Sequence, residues 1–188
     1  LAEHRDDVLV GKRFSVHEPH DGGHSAHVRF LDIVRRLREA PLDPGVRERA
    51  LAIFGLVAQA EAGVHGVAVN DVTFHELGAW DSIADIVGAA FLLEALGPVT
   101  WSVGALPLGG GRVKTAHGEI GVPAPATVAL LQGFAFVDDG IQGERVTPTG
   151  AAILRHLQTT LGTPAGGPLG PMTLNRSGTG FGTRILPG

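Results

Sequence analysis

One stretch near the middle of the chain limits most tightly what it can fold into. Val72-Thr73-Phe74 reads as a short strand of β-branched and aromatic residues. Directly after it, Ile83, Ile86, Val87, Ala90, Phe91, Leu93 and Leu96 recur at helical spacing. The junction between them, Phe74-His75-Glu76-Leu77-Gly78-Ala79-Trp80-Asp81-Ser82-Ile83-Ala84-Asp85, gathers an imidazole and three carboxylates. Asp81 or Ser82 is expected to cap the helix, because either side-chain oxygen can accept an unpaired first-turn amide. Gly97 supplies a left-handed stop and Pro98 keeps the helix from resuming. A strand emptying polar residues onto a helix start is a common ligand or metal position in α/β proteins. The competing reading is plain: Asp81 and Asp85 only cap, and His75 is a satisfied core histidine.

Around this junction the spacing predicts helices near 30–38, 45–61, 82–96, 124–131 and 149–158. In the first, Phe30, Leu31, Val34 and Leu37 share one face, with Arg29, Arg35, Arg36 and Arg38 outside. Asp43-Pro44 is a helix-start pair, and the second helix is expected to bury Val46, Ala50, Ile53, Phe54 and Val57 and to end at Gly63. The arginines of both helices read as solvated faces. Strands are expected at Val99–Val103, across Arg112–Ile120 with a break near Gly118, at Phe134–Val137 and near Thr183–Leu186. The fold class that results is α/β, a helical part (28–97) followed by a mixed β-sheet with interspersed short helices (98–188). Residues 1–27 are polar and poorly patterned, and are expected to be a flexible segment carrying His17, His20, His24 and His27. Such a loop can wrap a divalent transition metal, or serve only as a linker.

Composition narrows the chemistry. The chain has no cysteine, which excludes disulfides, thiolate catalysis and cysteine-ligated metals and points to a reducing cytoplasm. Histidine is left as the main soft metal ligand. A net charge of −4 argues against nucleic acid, and no apolar run is long enough to span a membrane. Two places could seat an anion. Gly109-Gly110-Gly111 precedes Arg112, Lys114 and His117, joining bare amides to positive charge without the Lys-Ser/Thr of a phosphate-binding loop. Thr147-Pro148-Thr149-Gly150 opens a helix whose first amides are accessible, with simple capping as the alternative.

Taken together, several of these motifs resemble one family. His75 to Gly88, Leu106-Pro107-Leu108-Gly109 with Val113 to Gly118, Val122 to Thr127, and Thr147 to Ala151 are similar, in order and spacing, to the LarC-type nickel-insertion proteins. The resemblance runs from about residue 24 to the end. It implies insertion of nickel into a pyridinium bisthiocarboxylic acid mononucleotide, giving the nickel-pincer cofactor of lactate racemase. It also implies a need for CTP with manganese or magnesium, bound by a carboxy-terminal domain that has no counterpart in these residues. On that reading His75, Glu76, Asp81 and Asp85 are the candidate metal ligands. Glu76, His117 and Asp81 are the candidate catalytic groups, since a base near neutral pKa suits removal of a ring proton. Arg112, Lys114, Thr147, Thr149 and Gly150 are the candidate substrate contacts. The expected partners are the mononucleotide, the carboxy-terminal domain and possible further copies of the chain. Two other readings stay open: a non-catalytic nickel chaperone, and a nucleotide-binding hydrolase unrelated to nickel.

Overall fold

The computed structural model describes residues 1–16, 28–74, 80–115, 118–161 and 171–182. They divide into two compact units, Leu1–Gly22 with Leu169–Gly188, and Gly23–Pro168.

In the first unit, strands β1 (Ala2–Arg5) and β2 (Val10–Arg13) form an antiparallel hairpin. The polarity of this stretch suggested an irregular segment, yet its turn is well specified. Asp6 accepts the amides of Val8 and Leu9 at 2.8 and 2.7 Å through one carboxylate oxygen, and its own amide donates to the Leu9 carbonyl. Such an aspartate turn closes a hairpin without apolar alternation. A distant segment, Gly180–Phe181, pairs in parallel with β2, and His4 meets the Phe181 ring edge-on at 4.8 Å. The strand expected at Thr183–Leu186 lies outside the described residues.

The second unit carries the helices. A short β3 (Val28–Arg29) leads straight into α1 (Phe30–Glu39), and α2 (Pro44–His65) follows. Val46, Ala50, Ile53, Phe54 and Val57 are all buried, as the periodicity requires, and α2 packs against α1 and against three later helices. Each large side chain so buried contributes about 1.5–3 kcal/mol. This helix runs past Gly63 and stops at Gly66, whose φ of 66° lets its amide turn back to the Ala62 carbonyl. A glycine inside a helix costs only about 1 kcal/mol, whereas the left-handed turn at Gly66 ends the hydrogen-bond ladder. In α1 the buried residues are Ile33 and Leu37, and Leu31 is exposed. Nor are all the arginines solvated. Arg47 donates to the carbonyls of Leu37, Ala40 and Leu42, and Arg49 bonds Glu94 at 2.7 Å.

A single 3-10 turn, Val69–Asp71, precedes β4 (Thr73–Phe74), which pairs antiparallel with β3. Helix α3 (Trp80–Leu96) follows and ends at Gly97, also in the left-handed region. Beyond it the strands are short and paired two by two. β5 (Leu106–Pro107) lies parallel to β8 (Phe136–Val137), and β6 (Arg112–Thr115) forms a hairpin with β7 (Gly118–Gly121). Residues 99–102 are not a strand; of the expected Val99–Val103 segment only Val103 bridges, and it is buried. Helices α4 (Pro125–Leu130) and α5 (Pro148–Leu161) complete the unit, packing on each other and on α2. The architecture is thus mixed α/β with its helices concentrated early, and its sheet content divided among small pairs. No helix among the described residues is long and apolar enough to cross a membrane.

Candidate functional site

The β4–α3 junction is held from both sides. Val28 pairs with Phe74 and Arg29 with Thr73, the amide of Phe30 donates to the Val72 carbonyl, and the Phe30 and Phe74 rings meet edge to face at 6.3 Å. On the far side, the Arg36 guanidinium of α1 lies 5.5 Å from the centre of the Trp80 ring, a cation–π contact that docks the start of α3. His75 and Glu76, between these anchors, lie outside the described residues, as do His117 and the loop histidines His17, His20, His24 and His27.

Helix α3 begins at Trp80, one residue ahead of the expected cap. Asp81 therefore sits within the first turn, where one oxygen accepts the Ser82 amide at 2.8 Å. The positive end of the helix dipole favours a carboxylate there. Asp85 follows one turn later on the same exposed face. Partial burial holds its carboxyl above the usual carboxylate range, and the charge of Asp81 adds to the rise. A cation beside Asp85 would offset both effects, which is what makes the pair a candidate metal position. No group of three or more metal-binding side chains occurs among the described residues.

The anion side is organised differently from the sequence expectation. Arg112 is committed to its hairpin: its Nε lies 3.1 Å from the Glu119 carboxylate and an Nη donates to the Glu119 carbonyl at 2.9 Å. Lys114 stands opposite Glu119 in register and is exposed, with no ion pair among the described residues. The triple glycine is explained by packing. Gly110 and Gly143 exchange backbone hydrogen bonds, and a Cβ on Gly109, at φ 72°, would stand 2.4 Å from the Gly143 carbonyl oxygen. At the start of α5, Thr147 is the cap: its hydroxyl accepts the Gly150 amide at 3.2 Å and its carbonyl accepts the Ala151 amide. The Gly150 amide is thereby occupied, and Thr149 lies half-buried in the first turn.

Arg145 was missed by sequence reasoning. Its guanidinium bonds Asp139 at 2.8 Å in the loop that meets the glycine turn, and that loop's amides hold Asp139 below the usual carboxylate range, with Arg145 adding to the effect. The only signal was Asp139 six residues before Arg145, too common a spacing to single out.

A family model described as "Nickel insertion protein" matches residues 1–188. The chain belongs to the nickel insertion protein family. Among its relatives, a protein of Geobacter sulfurreducens named "Putative nickel insertion protein" is 48% identical over 176 residues, covering 94% of this chain and 43% of the relative. A Pelobacter propionicus protein of the same name is 55% identical over 143 residues, 76% of this chain and 35% of the relative. A Staphylococcus saprophyticus protein named pyridinium-3,5-bisthiocarboxylic acid mononucleotide nickel insertion protein is 40% identical over 158 residues, 84% of this chain and 39% of its own. This nickel insertion chain spans less than half the length of these relatives. No solved structure matches it.

Proposed function

We propose that this chain supplies part of an enzyme that inserts nickel into pyridinium-3,5-bisthiocarboxylic acid mononucleotide, forming the nickel-pincer cofactor of lactate racemase. The observation that carries the reading is the 40% identity to the Staphylococcus protein of that name over most of this chain. The chemistry is a cyclometallation, of lyase or chelatase type. Nickel(II) and the substrate ring carbon form a bond, the carbon–hydrogen bond breaks, and the proton leaves to a base, with no change of oxidation state. Glu76, His117 and Asp81 are the proposed catalytic groups, and His75, Glu76, Asp81 and Asp85 the groups that meet nickel as the inserted substrate.

The described geometry supports this assignment at its edges. Asp81 and Asp85 stand together at the exposed start of α3, and the β3–β4 pair that precedes it has His27 and His75 as the next residues in sequence beside Val28 and Phe74. Imidazole with carboxylate is a donor set that nickel accepts. Lys114, unpaired among the described residues, is the proposed contact to the substrate phosphate, and Arg112, Thr147, Thr149 and Gly150 are the further proposed substrate contacts. CTP, with manganese or magnesium, is proposed to act through a domain beyond these residues, and the site of work is proposed to be the cytoplasm.

Asp81→Asn tests the reading. Asparagine keeps the oxygen that accepts the Ser82 amide and removes the charge. In the complete protein, supplied with substrate, nickel and CTP, the variant is expected to lose nearly all metallation while its circular dichroism is unchanged. Full nickel insertion by Asp81→Asn would make the aspartate a structural group and remove it from the site.

A further inference from the structure

Trp80 opens α3 with its indole 40% exposed, whereas the chain's other tryptophan, Trp101, is half-buried. The Arg36 guanidinium lies over the Trp80 ring, 5.5 Å from its centre. Arg36 is itself exposed, and its side chain makes no hydrogen bond or ion pair among the described residues. Asp32, one turn earlier on α1, is the carboxylate spaced to neutralise it, yet Asp32 bonds Arg35 instead, at 3.2 Å. As a fastener alone the contact is weak, because a cation–π pair open to water contributes little. What it fixes is a place. An aromatic face and an uncommitted planar fork of donors are held together one residue before Asp81.

We propose that Trp80 and Arg36 seat the substrate ring: the indole stacks on the pyridinium, and the Arg36 fork takes an anionic group on the ring edge. The ligand class rests on the function proposed above, which calls for a pyridinium ring bearing two thiocarboxylates and a nucleotide phosphate. An indole face attracts a cation more strongly than any other aromatic side chain, and a cationic ring is flat enough to lie on it. A guanidinium presents paired N–H donors in one plane, which suits a carboxylate-like group better than the point charge of an ammonium. That anionic group also offsets the repulsion between the two cations that share the indole. Position agrees with the chemistry. Consecutive Cα atoms stand about 3.8 Å apart, and the Cα–Cβ bonds of a helix tilt towards its amino-terminal end. Trp80 and Asp81 therefore both lean towards the start of α3, and a ring on Trp80 comes within reach of a metal held by Asp81. Formation of a carbon–nickel bond requires that proximity.

Nicotinic acid mononucleotide and nicotinamide mononucleotide are pyridinium mononucleotides that differ only in a ring carboxylate against an uncharged amide. Each, and the bisthiocarboxylate substrate itself, is titrated against the complete protein, with affinity read by calorimetry and tryptophan emission recorded alongside. A pyridinium stacked on an indole quenches its emission by accepting an electron from the excited ring. The expected signature is saturable quenching that Trp80→Leu removes. Arg36→Gln should weaken the substrate and nicotinic acid mononucleotide about tenfold, and leave nicotinamide mononucleotide within about twofold. Loss of both mononucleotides alike in Arg36→Gln overturns the ring-edge contact, since a phosphate contact or a damaged fold would do the same. Binding with equal quenching in Trp80→Leu overturns the seat and leaves the proposed function standing. A complete protein that binds none of the three overturns both.

Discussion

His156 is a buried imidazole on α5, with Nδ1 3.3 Å from the Thr160 hydroxyl and no partner for Nε2 among the described residues. Burial, and behind it the charge of Arg49 on α2, hold it below its ordinary value of 6.5, so the folded chain prefers the neutral ring. In the unfolded chain the ring takes up a proton as pH falls through about 6.5. The unfolded state then binds more protons, and stability drops until the folded ring titrates as well. Thermal midpoints should therefore fall as the pH is lowered from neutral towards 5, and His156→Leu should flatten that slope. Equal slopes in the two proteins would show that His156 does not set the acid response. Lys114 belongs to the same scale but to function. Removing one charge-assisted phosphate contact costs about 1.5 kcal/mol or more, so Lys114→Ala should weaken mononucleotide binding about tenfold. An exposed lysine contributes little to stability, so the melting curve should not move. Unchanged affinity by titration calorimetry would take Lys114 out of the site.

At the scale of elements, one arginine joins two helices. Arg47 on α2 donates to the carbonyls of Leu37, Ala40 and Leu42, closing the end of α1 and the turn that follows. Arg47→Ala would take this donor from all three carbonyls, of which Ala40 alone keeps another donor among the described residues, the Leu42 amide, and should cost about 1–3 kcal/mol. Denaturant unfolding reads this directly, and Arg47→Lys should recover only part, because an ammonium has no fork to span three carbonyls. A loss below about 0.5 kcal/mol would mean water replaces the contacts. Charge pattern alone made Arg47 look solvated, since periodicity ranks residues by polarity and cannot see a carbonyl brought round by the chain. The helices themselves were legible for the opposite reason. Val46, Ala50, Ile53, Phe54 and Val57 declare the face of α2 within one local stretch. The two-residue strands β5 and β8 were only partly visible, because the pairing of Leu106 with Phe136 joins segments thirty residues apart and leaves no local pattern. Phe91, Leu92 and Leu96 show the limit from the other side: they have the polarity of core residues and face out of this chain.

For the molecule as a whole, family membership rests on a match over all 188 residues, and the motifs of the sequence resemblance lie at the β4–α3 junction, the β6–β7 hairpin and the starts of α4 and α5. A close backbone crossing at Gly143 by itself requires glycine at position 109, a use that sequence could not separate from an anion cradle because both demand the same residue. Asp81 and Asp85 were legible as a pair on one face from their spacing, and Asp81 proved to lie within the first turn, after Trp80, and not at the cap. The central claim is that nickel is met at this junction before it reaches the substrate. A crystal of the protein soaked with nickel, with anomalous diffraction collected on both sides of the nickel absorption edge, tests it directly. The account predicts an edge-dependent peak within bonding distance of the Asp81 or Asp85 carboxylate at the start of α3. A fully occupied nickel peak away from the β4–α3 junction, with Asp81 and Asp85 free of metal, would contradict it.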